Sequence, residues 1–378
     1  MNKNFFKKYL LPGFIFQSVI IGGGYGTGRE IVEYFLSYGP LTGLLGMLLV
    51  TTVVWSVFLA LTFEFTRVFK AYNYKDFFRQ LLGRYWFVFE IVFLVYVLLV
   101  LAVLSSASGS MLLNDFGMPY YLGVAIMLTI VAVFTFKGSA KIEKFLAIWS
   151  FLLCAVYLIF LIITLSMFGD NITENFSASS VSGGGWIVSA FKYGFYNMAN
   201  VIGVIFCIYH IETRKEAVSA GLIGGFIGII PGLLLFVALT AYYVPGSENC
   251  VTAQDIPSAF AFGQTGITAL AVVFQVILFG TLIETGTALM HAFNERVFRP
   301  GALTARKPPR YLRPLIAGGF IIIAVALSSF GIIDLIAKGY GIISWFFLAV
   351  FLLPLATVGV YKIGKNRKDD TRKNFHQR

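Results

Sequence analysis

Along most of this chain hydrophobic positions do not alternate with polar ones at a helix or strand period; they run on in long apolar blocks. Crossing a bilayer core takes about 20 residues of helix, and ten blocks suit that length: Tyr9 to Leu36, Leu41 to Phe69, Tyr85 to Leu113, Pro119 to Phe136, Phe145 to Phe168, Trp186 to Ile211, Ala217 to Tyr243, Ile267 to Phe293, Leu312 to Phe330 and Ile333 to Tyr361. Backbone amides in lipid must be satisfied within the segment, so blocks of this kind predict helices. The expected fold is an all-α integral membrane protein with ten transmembrane helices. Two shorter stretches differ. Tyr74 to Leu82 sets Lys75, Asp76 and Arg79 among apolar residues and reads as an interfacial helix on the inner face. Ile256 to Phe262 is apolar but too short to span, and reads as a helix lying on the outer face.

The basic residues fix an orientation. All but three of the 29 Lys and Arg fall in alternate connections: around Lys3, Lys7 and Lys8, from Arg67 to Arg84, at Lys137, Lys141 and Lys144, at Arg214 and Lys215, from Arg296 to Arg313, and from Lys362 to Arg378. The connections Gly169 to Gly185 and Val244 to Gly266 hold none. Loops rich in Lys and Arg stay cytoplasmic, which places both termini inside. The net charge of +11 is thereby explained by topology, with no nucleic acid as partner. Composition agrees: 58% of residues are hydrophobic and 12% charged, where soluble domains carry about a quarter charged. Disordered and collagen-like classes are excluded. Cys154, Cys207 and Cys250 imply no disulfide framework. The first block continues into polar sequence without a small-residue cleavage site, so it does not read as a signal peptide. The chain reads as one transmembrane domain, 1–378, whose residues 365–378 form a solvated basic tail.

Within the first block stand Gly22, Gly23, Gly24, Tyr25, Gly26, Thr27 and Gly28, followed by Arg29 and Glu30. Each glycine costs a helix about 1 kcal/mol relative to alanine. Small residues at helical spacing would suit a tight helix contact, but a contiguous run favours a break, and broken backbone at membrane depth is tolerated only beside protein or a wet cavity. A phosphate loop is excluded by the absence of a Walker pattern and of a preceding strand. The sixth block carries Tyr196, Asn197, Ala199, Asn200 and Gly203, a candidate second break, although a satisfied buried Asn pair fits equally. Block starts in the two halves are offset by roughly 180 residues, and five spans begin inside and five outside, the order expected of inverted repeats at about 9–168 and 186–361.

This ten-span order, with a glycine break in the first helix and a polar one in the sixth, resembles the LeuT-type five-plus-five fold of amino acid-polyamine-organocation transporters. The string GGGYGTGREIVEYF is similar to the start of the bacterial YkvI-type membrane proteins, a family described as amino acid permeases. The resemblance implies a bacterial cytoplasmic membrane protein that binds a small solute at Gly22 to Gly28, Tyr196, Asn197 and Asn200, with backbone N–H groups taking a carboxylate, carbonyls taking an ammonium, and Tyr25 or Tyr196 closing over the solute.

Three cations remain in the spans, Arg29, Lys192 and Lys338, with Glu30, Glu33, Glu284 and Asp334 as candidate partners. An unpaired charge at mid-bilayer costs about 2.5 to 3.5 kcal/mol on an insertion scale. Glu64 and Glu90, near Arg67 and Arg84, read as structural. The resemblance implies an outer gate of Arg29 with Asp334, which Glu33 and Lys338 could extend into a four-charge cluster; a static ion pair is the rival reading. Glu284, with Thr281, Thr285 and Thr287, occupies the place of a coupling-cation site. The paired hydroxyls usual for sodium are missing, so a proton on Glu284 and a bound Na+ both stay open, as does a structural pairing of Glu284 with Lys338 or Lys192. No other cofactor or metal is implied. Three histidines, His210, His291 and His376, form no metal motif, and nothing supplies a nucleophile. The expected function is therefore not enzymatic: a cation-coupled secondary transporter of a small amino acid or similar zwitterion, with a transporter-like amino acid receptor as the alternative.

Overall fold

In the computed structural model, which describes residues 3–137, 140–181, 183–247, 249–298 and 312–366, the chain is helical, with no strand among the described residues. Six helices are long and apolar enough to cross a membrane by length and composition. The elements are α1 (Leu11–Ile20), a single turn α2 (Gly23–Gly26), α3 (Arg29–Tyr34), α4 (Pro40–Phe69), α5 (Tyr74–Leu82), α6 (Trp86–Phe116), α7 (Tyr120–Lys137), α8 (Ala140–Ala178), α9 (Gly185–Asn197), α10 (Arg214–Thr240), α11 (Pro257–Gln264), α12 (Thr268–Phe298), α13 (Leu312–Ser328) and α14 (Ile332–Asn366). The basic tail beyond Asn366 and the basic side chains expected at 141–144 and 296–313 lie outside what is described.

Glycines decide how closely the helices meet. A side chain on Gly221 of α10 would overlap the backbone of Ala60 on α4, and a Cβ on Gly225 would stand 2.5 Å from the amide nitrogen of Ser56. One turn round the same helix, Gly224 and Gly228 admit Gly13 and Phe16 of α1. With no hydrophobic drive between helices in lipid, such backbone approach supplies the packing contacts. Trp55 of α4 fills the space behind, edge-on to Phe16 with centroids 5.5 Å apart, its indole N–H donating to the Gly194 carbonyl of α9.

The first helix is discontinuous. α1 stops where Ile21 turns to ψ 76°, α2 makes one turn, and Gly28 at φ 74° takes the left-handed conformation that a Cβ would strain before α3 begins. In the sixth segment the sequence predicts unwinding over Asn197 to Gly203, and the structure instead narrows into 3-10 turns at Met198–Gly203 and Ile205–His210. Tighter i→i+3 bonding keeps the backbone groups paired where water is absent. The interfacial helix is present as α5, capped by the Asn73 side chain on the Asp76 amide, with Phe77, Phe78 and Leu81 buried. Two connections differ from expectation. Helix α8 runs on to Ala178 past a kink at Phe168, and α11 is seated in the protein along one side, with Pro257, Ser258, Ala261 and Phe262 buried and Phe262 stacked on Phe160 and Phe274 at 4.0 Å, while Gly263 and Gln264 are exposed.

Candidate functional site

A cavity of about 1080 Å³ is walled by both irregular segments. Gly22, Gly24, Tyr25 and Glu30 line it from the first helix, Tyr196, Asn197, Asn200 and Gly203 from the sixth segment, Glu284 and Thr285 from α12, Tyr96 from α6 and Tyr340 from α14. From there it extends to Phe6, Leu11 and Tyr74, beside the basic side chains of the N-terminal segment and α5. The opposite side is closed. Ser258 of α11 donates its amide to the Thr27 carbonyl at 3.0 Å and its hydroxyl to the Gly26 carbonyl at 2.8 Å. Arg29, 3% exposed, donates to the carbonyls of Thr252 and Gln254 and to Glu33 Oε2 at 2.8 Å. The Tyr34 hydroxyl donates to the Ile336 carbonyl and so ties α3 to α14.

At the inner end of that seal stands a cavity-lining residue that the sequence analysis considered only as a charge partner. Glu30, 6% exposed, accepts from the Tyr196 hydroxyl through Oε2 at 2.5 Å. Its Oε1 folds back over the break, where a Cβ on Gly24 would come within 2.5 Å of it. Only glycine at 24 leaves that space. Around the pair stand Tyr34, Tyr193 and Tyr340, with ring centroids 5.7, 5.6 and 4.9 Å from that of Tyr196. The signal in the sequence was an acidic residue one position into a helix that restarts after glycines, a place favoured by the helix dipole.

The break's carbonyls are occupied by protein. Gly22 accepts from the Gly26 amide, Gly24 from the Thr27 hydroxyl, Tyr25 from the Gly28 amide, Gly26 from Tyr157 and Ser258, and Thr27 from Ser258. Gly26, Thr27 and Gly28 therefore serve the seal rather than the cavity wall. The Tyr25 hydroxyl is buried without a hydrogen bond and points toward Gly232 of α10. Asn197 donates to the Tyr193 carbonyl.

The expected gate pair is not formed. Arg29 is held by Glu33 and two loop carbonyls, while Asp334 pairs one turn along its own helix with Lys338 at 3.1 Å, both well exposed. The four charges thus make two local pairs, because each acid stands four residues from a base on a continuous helical face. Lys192 makes no ion pair among the described residues; its Nζ lies beside Gly341 of α14. Of the four residues proposed for a coupling cation, Glu284 and Thr285 reach the cavity, and the Thr285 side chain abuts Gly22. Thr281 returns its hydroxyl to the Ile277 carbonyl, and the buried Thr287 hydroxyl has no hydrogen-bond partner among the described residues. The described residues hold no group of three His, Cys, Asp or Glu suited to a metal ion.

No family model matches the chain. It is similar to the protein described as "Uncharacterized membrane protein YkvI" of Bacillus subtilis (strain 168), 23% identical over 296 residues that make up 75% of this chain and 79% of that one. Among solved structures, a substrate-bound outward-open Na+-coupled sialic acid symporter aligns at TM-score 0.62 and 14% identity over 92% of this chain and 79% of its own. A manganese transporter of Eremococcus coleocola aligns at 0.58 and 13% identity, covering 94% and 80%. The inward-facing conformation of Mhp1 aligns at 0.56 and 14% identity, covering 90% and 73%. These likenesses establish the fold, that of LeuT-type membrane proteins.

Proposed function

We propose that this chain, a YkvI-like protein with the LeuT-type fold, is a secondary active transporter that moves a small, amine-bearing, amino-acid-like solute across a bacterial cytoplasmic membrane by alternating access. The observation that carries the reading is the asymmetry of the cavity: a polar centre at the broken first helix, open along the basic side and closed on the other by Ser258, Arg29 and Tyr34. With basic loops cytoplasmic, both termini are inside and the conformation is inward-facing. The ten-span, five-plus-five order supports the same mechanism, in which paired broken helices enclose a central site.

Coupling is assigned to Glu284, which lines the cavity next to the Thr285 contact on Gly22. A mid-membrane carboxylate that meets the cavity in one state and is enclosed in the other can carry a proton. In proteoliposomes, accumulation should follow an imposed pH gradient, and Glu284→Gln should keep solute exchange while losing accumulation. Accumulation driven by a sodium gradient alone would reassign the site to Na+. A solute that stabilises the protein but is never exchanged would replace the transporter reading with that of a receptor.

A further inference from the structure

The break in a helix ordinarily offers amide groups and a positive dipole end to a solute carboxylate. Here the protein places a carboxylate of its own in that position. Glu30 sits in the first turn of α3, its side chain folds back over Gly24, and Tyr196 fixes one oxygen. The other oxygen, Oε1, accepts no hydrogen bond from a described residue, and Glu30 lines the cavity. Two carboxylates, Glu30 and Glu284, line this space, and no Lys, Arg or His is among its described lining residues. The cations nearest in sequence are engaged elsewhere: Arg29 on the sealed side and Lys8 with Glu216 on the basic side. The rest of the lining is tyrosine or apolar. Tyr96, Tyr196 and Tyr340 form one wall, their ring centroids 4.9 to 6.4 Å apart, and Phe14, Ile15, Val19, Phe93, Ile202 and Leu289 make much of the remainder. Ring faces attract cations, and apolar walls favour an apolar body.

We infer that Glu30 stands in for the solute's missing carboxylate, so that the transported solute is an organic monoamine with an apolar body and a net positive charge, its ammonium received by Glu30 between the tyrosines. This rests on the transporter reading for taking the cavity as the solute site, and departs from it in the solute's charge, keeping the amine of an amino acid and not its carboxylate. A zwitterion would bring a second carboxylate to a place already holding that of Glu30, with no side-chain cation among the described lining residues to meet it.

The test uses matched probes on the purified full chain. Pentylamine, norleucine and hexanoate share one aliphatic body and differ only in which charged groups they carry; phenethylamine, phenylalanine and 3-phenylpropionate do the same for an aromatic body. Thermal shift is one readout. The rate of maleimide labelling at Cys154, which lines the cavity while Cys207 and Cys250 are buried, is the other. Each amine should stabilise the protein and slow Cys154 labelling at a concentration about ten-fold or more below that needed for its zwitterion, with no effect of the acids. Glu30→Gln keeps an acceptor for Tyr196 and should remove the preference for the amine. Tyr196→Phe, which leaves the carboxylate in place, should retain it at weaker affinity. Equal or tighter action by the zwitterions, an unchanged preference in Glu30→Gln, or no effect of any probe would overturn the inference. Exchange in proteoliposomes separates the two claims: zwitterion exchange would leave the transporter reading standing and remove this one, whereas amine binding without exchange of any probe would do the reverse.

Discussion

The Gly26 carbonyl accepts two hydrogen bonds of 2.8 Å, from the Tyr157 hydroxyl of α8 and the Ser258 hydroxyl of α11. Because it is buried at the helix break, its dependence on those two donors can be measured by a double-mutant cycle. Ser258→Ala or Tyr157→Phe alone leaves the carbonyl with one partner, so each should cost about 1 kcal/mol, the net worth of one neutral hydrogen bond. Removing both leaves a carbonyl unsatisfied in a dry environment, which adds its desolvation penalty of about 1 to 3 kcal/mol. The double variant should therefore be less stable than the sum of the singles by about 1 to 2 kcal/mol. The substitutions are conservative: Tyr157 keeps its ring, and the Ser258 amide keeps its bond to Thr27. Reversible unfolding in mixed micelles with increasing SDS gives the four free energies. Additivity within about 0.5 kcal/mol would refute the reasoning, since it would mean that water or another donor reaches the break.

Gly221→Val should destabilise the fold by about 3 kcal/mol or more, at the upper end for overpacking, because the added atoms meet the Ala60 backbone rather than a side chain that can rotate away; the same unfolding assay reads it, and a loss under about 1 kcal/mol would show that α10 can shift on α4. The N-terminal segment is tethered by Lys8, which pairs with Glu216 at 2.9 Å; the hydrogen bond to Glu216 raises the Lys8 ammonium above its ordinary value of 10.5. A raised lysine contributes stability that is fully present below the unfolded value and is lost as pH rises through the folded one. Protection of the segment against amide exchange should thus persist through neutral pH and fall only above 10.5, and Lys8→Met should remove that alkaline step.

The parts of the fold that were legible in the sequence are those set by one residue's solvation or conformational range. Long apolar blocks had to be helices, and the contiguous glycines marked where the first helix is discontinuous. The amphipathic Tyr74–Leu82 helix was equally local. What stayed hidden depends on partners distant in the chain. Arg29 is satisfied by the carbonyls of Thr252 and Gln254, and carbonyls carry no residue-type signature, so the resemblance to LeuT-type transporters pointed to Asp334 instead. Ser258 lies in a stretch whose apolar residues suggested a surface helix, and its role follows only from the break it covers.

Arg29 and Glu30 also show how one turn divides its work. The two are neighbours where the helix restarts, and about 100° of rotation separates consecutive side chains on a helix. Arg29 therefore turns into the seal while Glu30 turns into the cavity, and the adjacent charges cannot neutralise one another, since consecutive helical residues do not face each other. Arg29 is compensated by Glu33 one turn on, at 2.8 Å. That pairing leaves the Glu30 carboxylate with a single neutral donor, Tyr196, across the break. A buried carboxylate so placed is stabilised by a positive partner, and the space next to it is the cavity. The same turn that closes one side of the protein thus presents, on the other, the carboxylate on which the inferred amine site rests.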